Sequence, residues 1–215
     1  MDAALLTAAA GSGYLLGTVP SADLVARWVG RGRRGSGGGG TGAVDLRRVG
    51  SRNPGALNAY RTLGRLPGAV VLVADAAKGV AAGGAWLAVA GSTAAQVALV
   101  AAIVGHCYPI WSRFAGGKGV ATAAGGILAL FPASFPVSFA AGVLAARLTR
   151  RATVAMQVAV VAWLGAAGWW WATDWPNLWG VAPGPGLVAT AAAGSAVVVG
   201  AFARARVSGE RDRSR

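Results

Sequence analysis

Apolar and polar residues separate along this chain into long blocks rather than alternating within short ones. Apolar runs occupy residues 3–26, 67–90, 94–111, 120–131, 134–146, 152–172 and 186–203, with few charges inside them. Such runs predict helices that are apolar on most faces and cross a bilayer. The fourth and fifth fall short of the ~20 residues a full crossing needs, so they tilt, thin the bilayer around them, or pair as one re-entrant hairpin. The expected fold is all-α: a polytopic integral membrane bundle of about seven transmembrane helices, two of them short.

Composition agrees with the pattern. Of 215 residues, 55% are hydrophobic and only 13% charged, with nine tryptophans, and the length suits one membrane domain over residues 1–215. A net charge of +13 in a soluble protein would point to nucleic acid. In a membrane chain it reads as topology and attraction to anionic lipid, with no nucleic-acid partner. The single cysteine, Cys107, cannot form an internal disulfide. The pattern sets no oligomeric state.

The basic residues also orient the chain. Nine of the twenty Lys and Arg lie in residues 27–66, two in 112–118, three in 147–151 and five in 204–215. With seven spans these segments all fall on one side, which predicts an external N-terminus, a cytoplasmic C-terminus and a site facing the cytoplasm. The first run lacks a basic n-region and continues into further spans, so it is read as a helix rather than a secretory signal. Residues 30–42, GRGRRGSGGGGTG, are expected to form a flexible cytoplasmic insertion whose Arg31, Arg33 and Arg34 graze anionic headgroups, and residues 204–215 a basic cytoplasmic tail. The stretch WWWATDWPNLW has the aromatic character of an interfacial belt on the other side.

Two polar segments interrupt the apolar pattern with chemistry of their own. VGSRNPGALNAYRTLGR combines the Ser51 hydroxyl, the Asn53 and Asn58 amides, backbone at Gly50 and Gly55, and the Arg61 guanidinium. Glycine lets backbone donors approach an anion closely and arginine offers a two-pronged fork. Its Asn-Pro-Gly marks a turn, and the residues after it can form a short helix leading to the second span. GHCYPIWSRFAGGKGVAT places Gly116, Gly117 and Gly119 around Lys118, with Thr122 following, just before an apolar run. Unpaired N–H groups at a helix start and a mobile ammonium suit a phosphate. The P-loop pattern is not met, so ATP hydrolysis is not implied. A positive-inside loop with an ordinary turn, and a glycine hinge with one topogenic lysine, are the plainer readings of the two segments.

Three further polar residues fall within spans. Asp75 and Lys78 lie three apart on one helix face, either as an ion pair supporting the bundle or as lining of a substrate site. His106 is either a satisfied structural side chain or a catalytic base.

GTVPSADLV, VGSRNPGALNAYRTLG, VADAAKG and GHCYPIWSRFAGGKGVATAAG, in this order and over about half the chain, resemble the acyl-phosphate-dependent glycerol-3-phosphate acyltransferases of bacterial inner membranes, the PlsY family. The resemblance implies transfer of a fatty acyl group from acyl phosphate to the 1-hydroxyl of glycerol 3-phosphate, giving 1-acylglycerol 3-phosphate and phosphate, the first step of phospholipid synthesis. It implies no metal and no other cofactor, and membrane lipids as surroundings. It places the family's essential serine and arginine at Ser51 and Arg61, with Lys118 as the third member of a catalytic set, and assigns the glycine-rich motif to substrate phosphate.

The chain departs from the family pattern at several places. Arg52 and Leu57 stand where the family has glycine and threonine, and of the family's phosphate-binding serines near 150 only Thr153 keeps a hydroxyl. The family's histidine and asparagine after the last span are missing, and Arg204 and Arg206 are the candidates to replace them. The alternative reading is a catalytically impaired relative that acts as a lipid- or anion-binding membrane protein or transporter.

Overall fold

The computed structural model describes residues 2–35 and 44–213, apart from the side chains of 32–35 and 206–213. Where the sequence pattern predicts one helix over 3–26, the chain forms two, α1 (Ala3–Gly17) and α2 (Ser21–Gly35). Pro20 is the cause, since it has no N–H to donate and drives Val19 toward extended backbone. At the break the Thr18 hydroxyl donates to the Leu15 carbonyl at 2.7 Å. Helix α2 is two-faced. Ala22, Val25 and Ala26 are buried against Leu46, Ala59, Leu63 and Val71, while Leu24 and Trp28 are exposed. The expected insertion at 30–42 therefore begins inside α2; its remainder, 36–42, lies outside the described residues.

The short helix expected after Asn-Pro-Gly is α3 (Ala56–Leu63), followed by α4 (Arg65–Ala90) and α5 (Ser92–Cys107). Then come α6 (Val120–Leu130), α7 (Phe135–Thr149), α8 (Ala152–Thr173) and α9 (Pro185–Arg213). Five helical stretches, 3–31, 65–90, 92–112, 152–173 and 185–205, are long and apolar enough to cross a membrane, and Val120–Leu130 is a shorter apolar helix. Together they make an all-α polytopic membrane bundle.

Helix α5 runs through its centre, with Ala94, Ala95, Ala98, Leu99, Ala102 and Ile103 almost wholly buried. Close crossings rest on absent side chains. Gly13 and Gly17 of α1 lie against the Ala98 and Ala102 backbone, and Gly79 of α4 lies against the Thr122 carbonyl of α6, leaving no room for a Cβ. Helix α7 packs along α8 and barely touches α6, so the fourth and fifth apolar runs do not pair as a hairpin.

Candidate active site

The first polar segment is organised by one buried amide. Asn58, in α3, reaches back across the loop so that Nδ2 donates to the Leu46 and Val49 carbonyls at 2.9 and 3.0 Å. Its Oδ1 accepts the Ser51 N–H at 2.9 Å and the Thr62 hydroxyl at 3.4 Å. Gly50 is left-handed (φ 59°), and Asn58 Oδ1 fills the space its Cβ would need. Asn58 is 1% exposed and its amide is hydrogen-bonded on both sides to the loop and α3, so it clamps the loop. The clamp leaves Ser51 exposed, with no hydrogen bond to its hydroxyl among the described residues, and Arg61 exposed one turn beyond Asn58. Asn53 is half-buried, and Gly55 is the N-cap of α3.

In the second polar segment the glycines pack onto the end of α5. The Gly116 N–H donates to the Cys107 carbonyl at 3.2 Å and the Gly117 N–H to the His106 carbonyl at 3.0 Å. These two donors, expected to be unpaired, are therefore satisfied within the chain. Gly119 is the left-handed N-cap of α6 (φ 76°). Lys118 is half-buried, its ammonium 4.3 Å from the centroid of the Phe202 ring, and burial holds its pKa below the ordinary lysine range. Thr122 is fully buried at the crossing with α4, and its hydroxyl has no hydrogen-bond partner among the described residues. Thr153 lies in the first turn of α8, half-buried.

Arg204, expected as a substrate contact, is turned inward. Nη1 donates to the Cys107 and Phe114 carbonyls at 3.0 and 2.6 Å, and Nη2 to the Gly116 carbonyl at 3.4 Å. Its guanidinium carbon lies 4.5 Å from the centroid of the Tyr108 ring. The Arg206 side chain lies outside the described residues.

A residue the sequence reading counted only as topogenic charge joins the two segments. Arg47 Nε donates to the Ala115 carbonyl at 3.0 Å across 68 residues of sequence, and Nη1 pairs with Asp23 of α2 at 2.6 Å. Between the segments lies a cavity of roughly 200 Å³, lined by Pro54, Gly116 and Gly117 and by Thr18, Ser21, Asp23, Arg27 and Arg47. Asp75, Lys78 and His106 form its inner wall. Lys78 Nζ pairs with Asp75 at 2.8 Å and donates to the Val19 carbonyl at 2.6 Å, at the helix break where that carbonyl has lost its intrahelical partner. His106 Nδ1 sits 3.6 Å from the same carboxylate. The ion pair is thus formed, its members line this cavity, and the charges offset each other's burial.

Ser51, Arg61 and Lys118 lie outside the wall of this cavity. The structure brings their parent segments together at its rim without bringing the three side chains into one wall. Asp23, Arg27 and Arg47 were missed because nothing in sequence spacing links 23 and 47 to 115.

Comparison with known proteins agrees with this architecture. A family model described as glycerol-3-phosphate acyltransferase matches residues 7–206. Curated proteins named glycerol-3-phosphate acyltransferase include one from Roseobacter denitrificans, 47% identical over 121 residues (56% of this chain, 54% of that protein). One from Exiguobacterium sibiricum is 38% identical over 138 residues (64% and 61%), and one from Pseudomonas paraeruginosa 37% identical over 158 residues (73% and 77%). In the first two alignments the chain spans only a little over half of the relative's length. A solved structure of PlsY, an integral membrane glycerol 3-phosphate acyltransferase in its glycerol 3-phosphate form, superposes with a TM-score of 0.71 at 26% identity, covering 97% of this chain and 92% of that one. Its lysophosphatidic acid form gives 0.71 at 25% identity, over 91% and 87%. By the match across nearly its whole length, the chain belongs to the glycerol-3-phosphate acyltransferase family.

Proposed function

We propose that this protein transfers a fatty acyl group from acyl phosphate to the 1-hydroxyl of glycerol 3-phosphate at the cytoplasmic face of a bacterial inner membrane. The observation that carries this reading is the meeting of the two family segments at one end of the bundle, tied by Arg47 to the Ala115 carbonyl. In it α1, α4, α5, α6, α7, α8 and α9 are the seven spans of a single domain, with the N-terminus outside and the basic tail in the cytoplasm.

The chemistry asks little of the protein beyond positioning and charge. The acceptor hydroxyl attacks the acyl carbonyl carbon, the carbon–oxygen bond to phosphate breaks, and the leaving phosphate takes the hydroxyl proton. Two phosphate groups must approach each other for this, and their repulsion has to be offset by cations in a water-poor setting. Arg61 and Lys118 supply that charge, and the unengaged Ser51 hydroxyl is placed to contact a reacting group. Holding both substrates in line accounts for most of the remaining acceleration. The acyl tail stays among the apolar helices while its phosphate remains at the interface.

The test is purified full-length chain in detergent, given acyl phosphate and glycerol 3-phosphate, with lysophosphatidate detected by mass spectrometry. Product is expected, and Arg61→Ala and Lys118→Ala should each lower turnover by more than about tenfold. Wild-type rates in either variant would mean that the catalytic set is wrongly placed. The commitment of Arg204 to backbone carbonyls favours one second reading: with the family's histidine and asparagine absent and Arg204 engaged elsewhere, the protein binds phosphate without acyl transfer. A folded protein that binds glycerol 3-phosphate and yields no product would establish it.

A further inference from the structure

We propose that Arg204 is a positioning residue that holds the 108–117 loop in the shape that presents Lys118, acting through backbone carbonyls rather than by touching substrate. Its role in catalysis rests on the acyltransferase reading above.

Local bonds such as Phe114 N–H to Pro109 O and Ala115 N–H to Ser112 O, both 3.0 Å, fold the loop, yet they leave a strained pair at its tip. Arg113 and Phe114 are consecutive non-glycine residues in the left-handed region, at φ 52° and 62°, a conformation that persists only when its surroundings over-determine it. The carbonyl leaving that strained pair, Phe114 O, accepts the shortest of the Arg204 bonds, 2.6 Å. The same nitrogen reaches the Cys107 carbonyl at 3.0 Å, one of the orphan acceptors at the end of α5, where a cation is favoured. Because Gly116 N–H also returns to Cys107 O, the guanidinium ties together the beginning and end of the loop. The Tyr108 ring, its centroid 4.5 Å from the guanidinium carbon, bounds the group on one face.

Two residues earlier in α9, Phe202 lies beneath the Lys118 ammonium. One helix end therefore sets both the backbone of the loop and the place of its cation. Lysine cannot reproduce this, since an ammonium lacks the planar fork that spans several carbonyls while stacking.

The experiment combines proteolysis with kinetics on the full chain in detergent. In Arg204→Ala, trypsin should cut after Arg113 at least about tenfold faster, read by fragment mass, while cutting after Arg150, at the α7–α8 junction, keeps its wild-type rate. With Lys118 displaced, turnover should fall about tenfold, and the KM for one of the two phosphate substrates should rise with it. Arg204→Lys should show the same changes in weaker form, and it carries the test if the alanine variant does not fold. Unchanged cutting after Arg113 in a folded variant would overturn the proposal, and a loss of turnover alongside unchanged cutting would place Arg204 at the reacting atoms instead. If the wild-type protein shows no acyl transfer, the acyltransferase reading fails, and the proteolysis still decides whether Arg204 holds the loop.

Discussion

Asn58 shows why residue type alone did not assign roles in the first polar segment. An asparagine beside a serine and an arginine suits phosphate binding, yet its amide is buried and bonded to Leu46, Val49, Ser51 and Thr62. Replacing it with leucine keeps much of the volume but leaves the Leu46 and Val49 carbonyls short of a donor. Each buried polar group left unpaired costs about 1–3 kcal/mol. Asn58→Leu should accordingly lower the unfolding midpoint in detergent by several degrees and impair transfer through displacement of Ser51. A variant as stable as wild type would show that the loop holds itself. Ser51, on the loop, and Arg61, on α3, are by contrast exposed, since burying such polar groups without partners would be costly. For Arg204, sequence shows a guanidinium near the site but not its bonds to the Cys107, Phe114 and Gly116 carbonyls.

Among the helices, α6 poses the clearest physical problem. Its 11 residues extend about 16 Å at 1.5 Å per residue, against a hydrocarbon layer of about 30 Å. A helix that stops short leaves carbonyls unsatisfied where water is scarce. The segment after α8 supplies their partners: Val181 N–H and Asn177 Nδ2 donate to Leu130 O at 2.8 and 3.0 Å, and Trp179 Nε1 to Leu128 O at 3.0 Å. The tryptophan-rich segment expected as an interfacial belt therefore also caps a helix, with Trp179 exposed on one side and bonded inward on the other. Asn177→Leu should destabilise the bundle by about 1–3 kcal/mol, measured as a lowered thermal midpoint, while Asp174→Asn in the same segment changes it little. Equal midpoints for the two would remove the capping role. The apolar runs were legible because their composition survives any packing arrangement. The break at Pro20 was legible only as a proline, since its position near the end of a long apolar run allowed either a kink or a stop.

For the whole molecule, the asymmetry of charge is the feature that packing alone does not explain. Among the described residues, Arg27, Arg47 and Arg204 lie at the end of the bundle that carries the cavity, while the segment after α8 caps the C-terminal end of α6. In the proposed seven-span topology these ends lie on opposite sides of the bilayer. In a Cys107→Ala background, cysteines introduced at Arg48 and at Asp174 should react with a membrane-impermeant thiol reagent from opposite faces of sealed vesicles. Reaction of both from one face would mean that α6 or α7 fails to cross, and the topology would have to be redrawn. Class, approximate helix positions and the two polar segments could be read from the chain because hydropathy and charge bias are summed over many residues and tolerate local error. The joining of Arg47 to Ala115, the facing of Asp75, Lys78 and His106 onto one cavity, and the diversion of Arg204 to a loop depend on side-chain directions across distant segments. Those directions are set by how helices with few side chains at their crossings settle against one another, so they exist only once the bundle has packed.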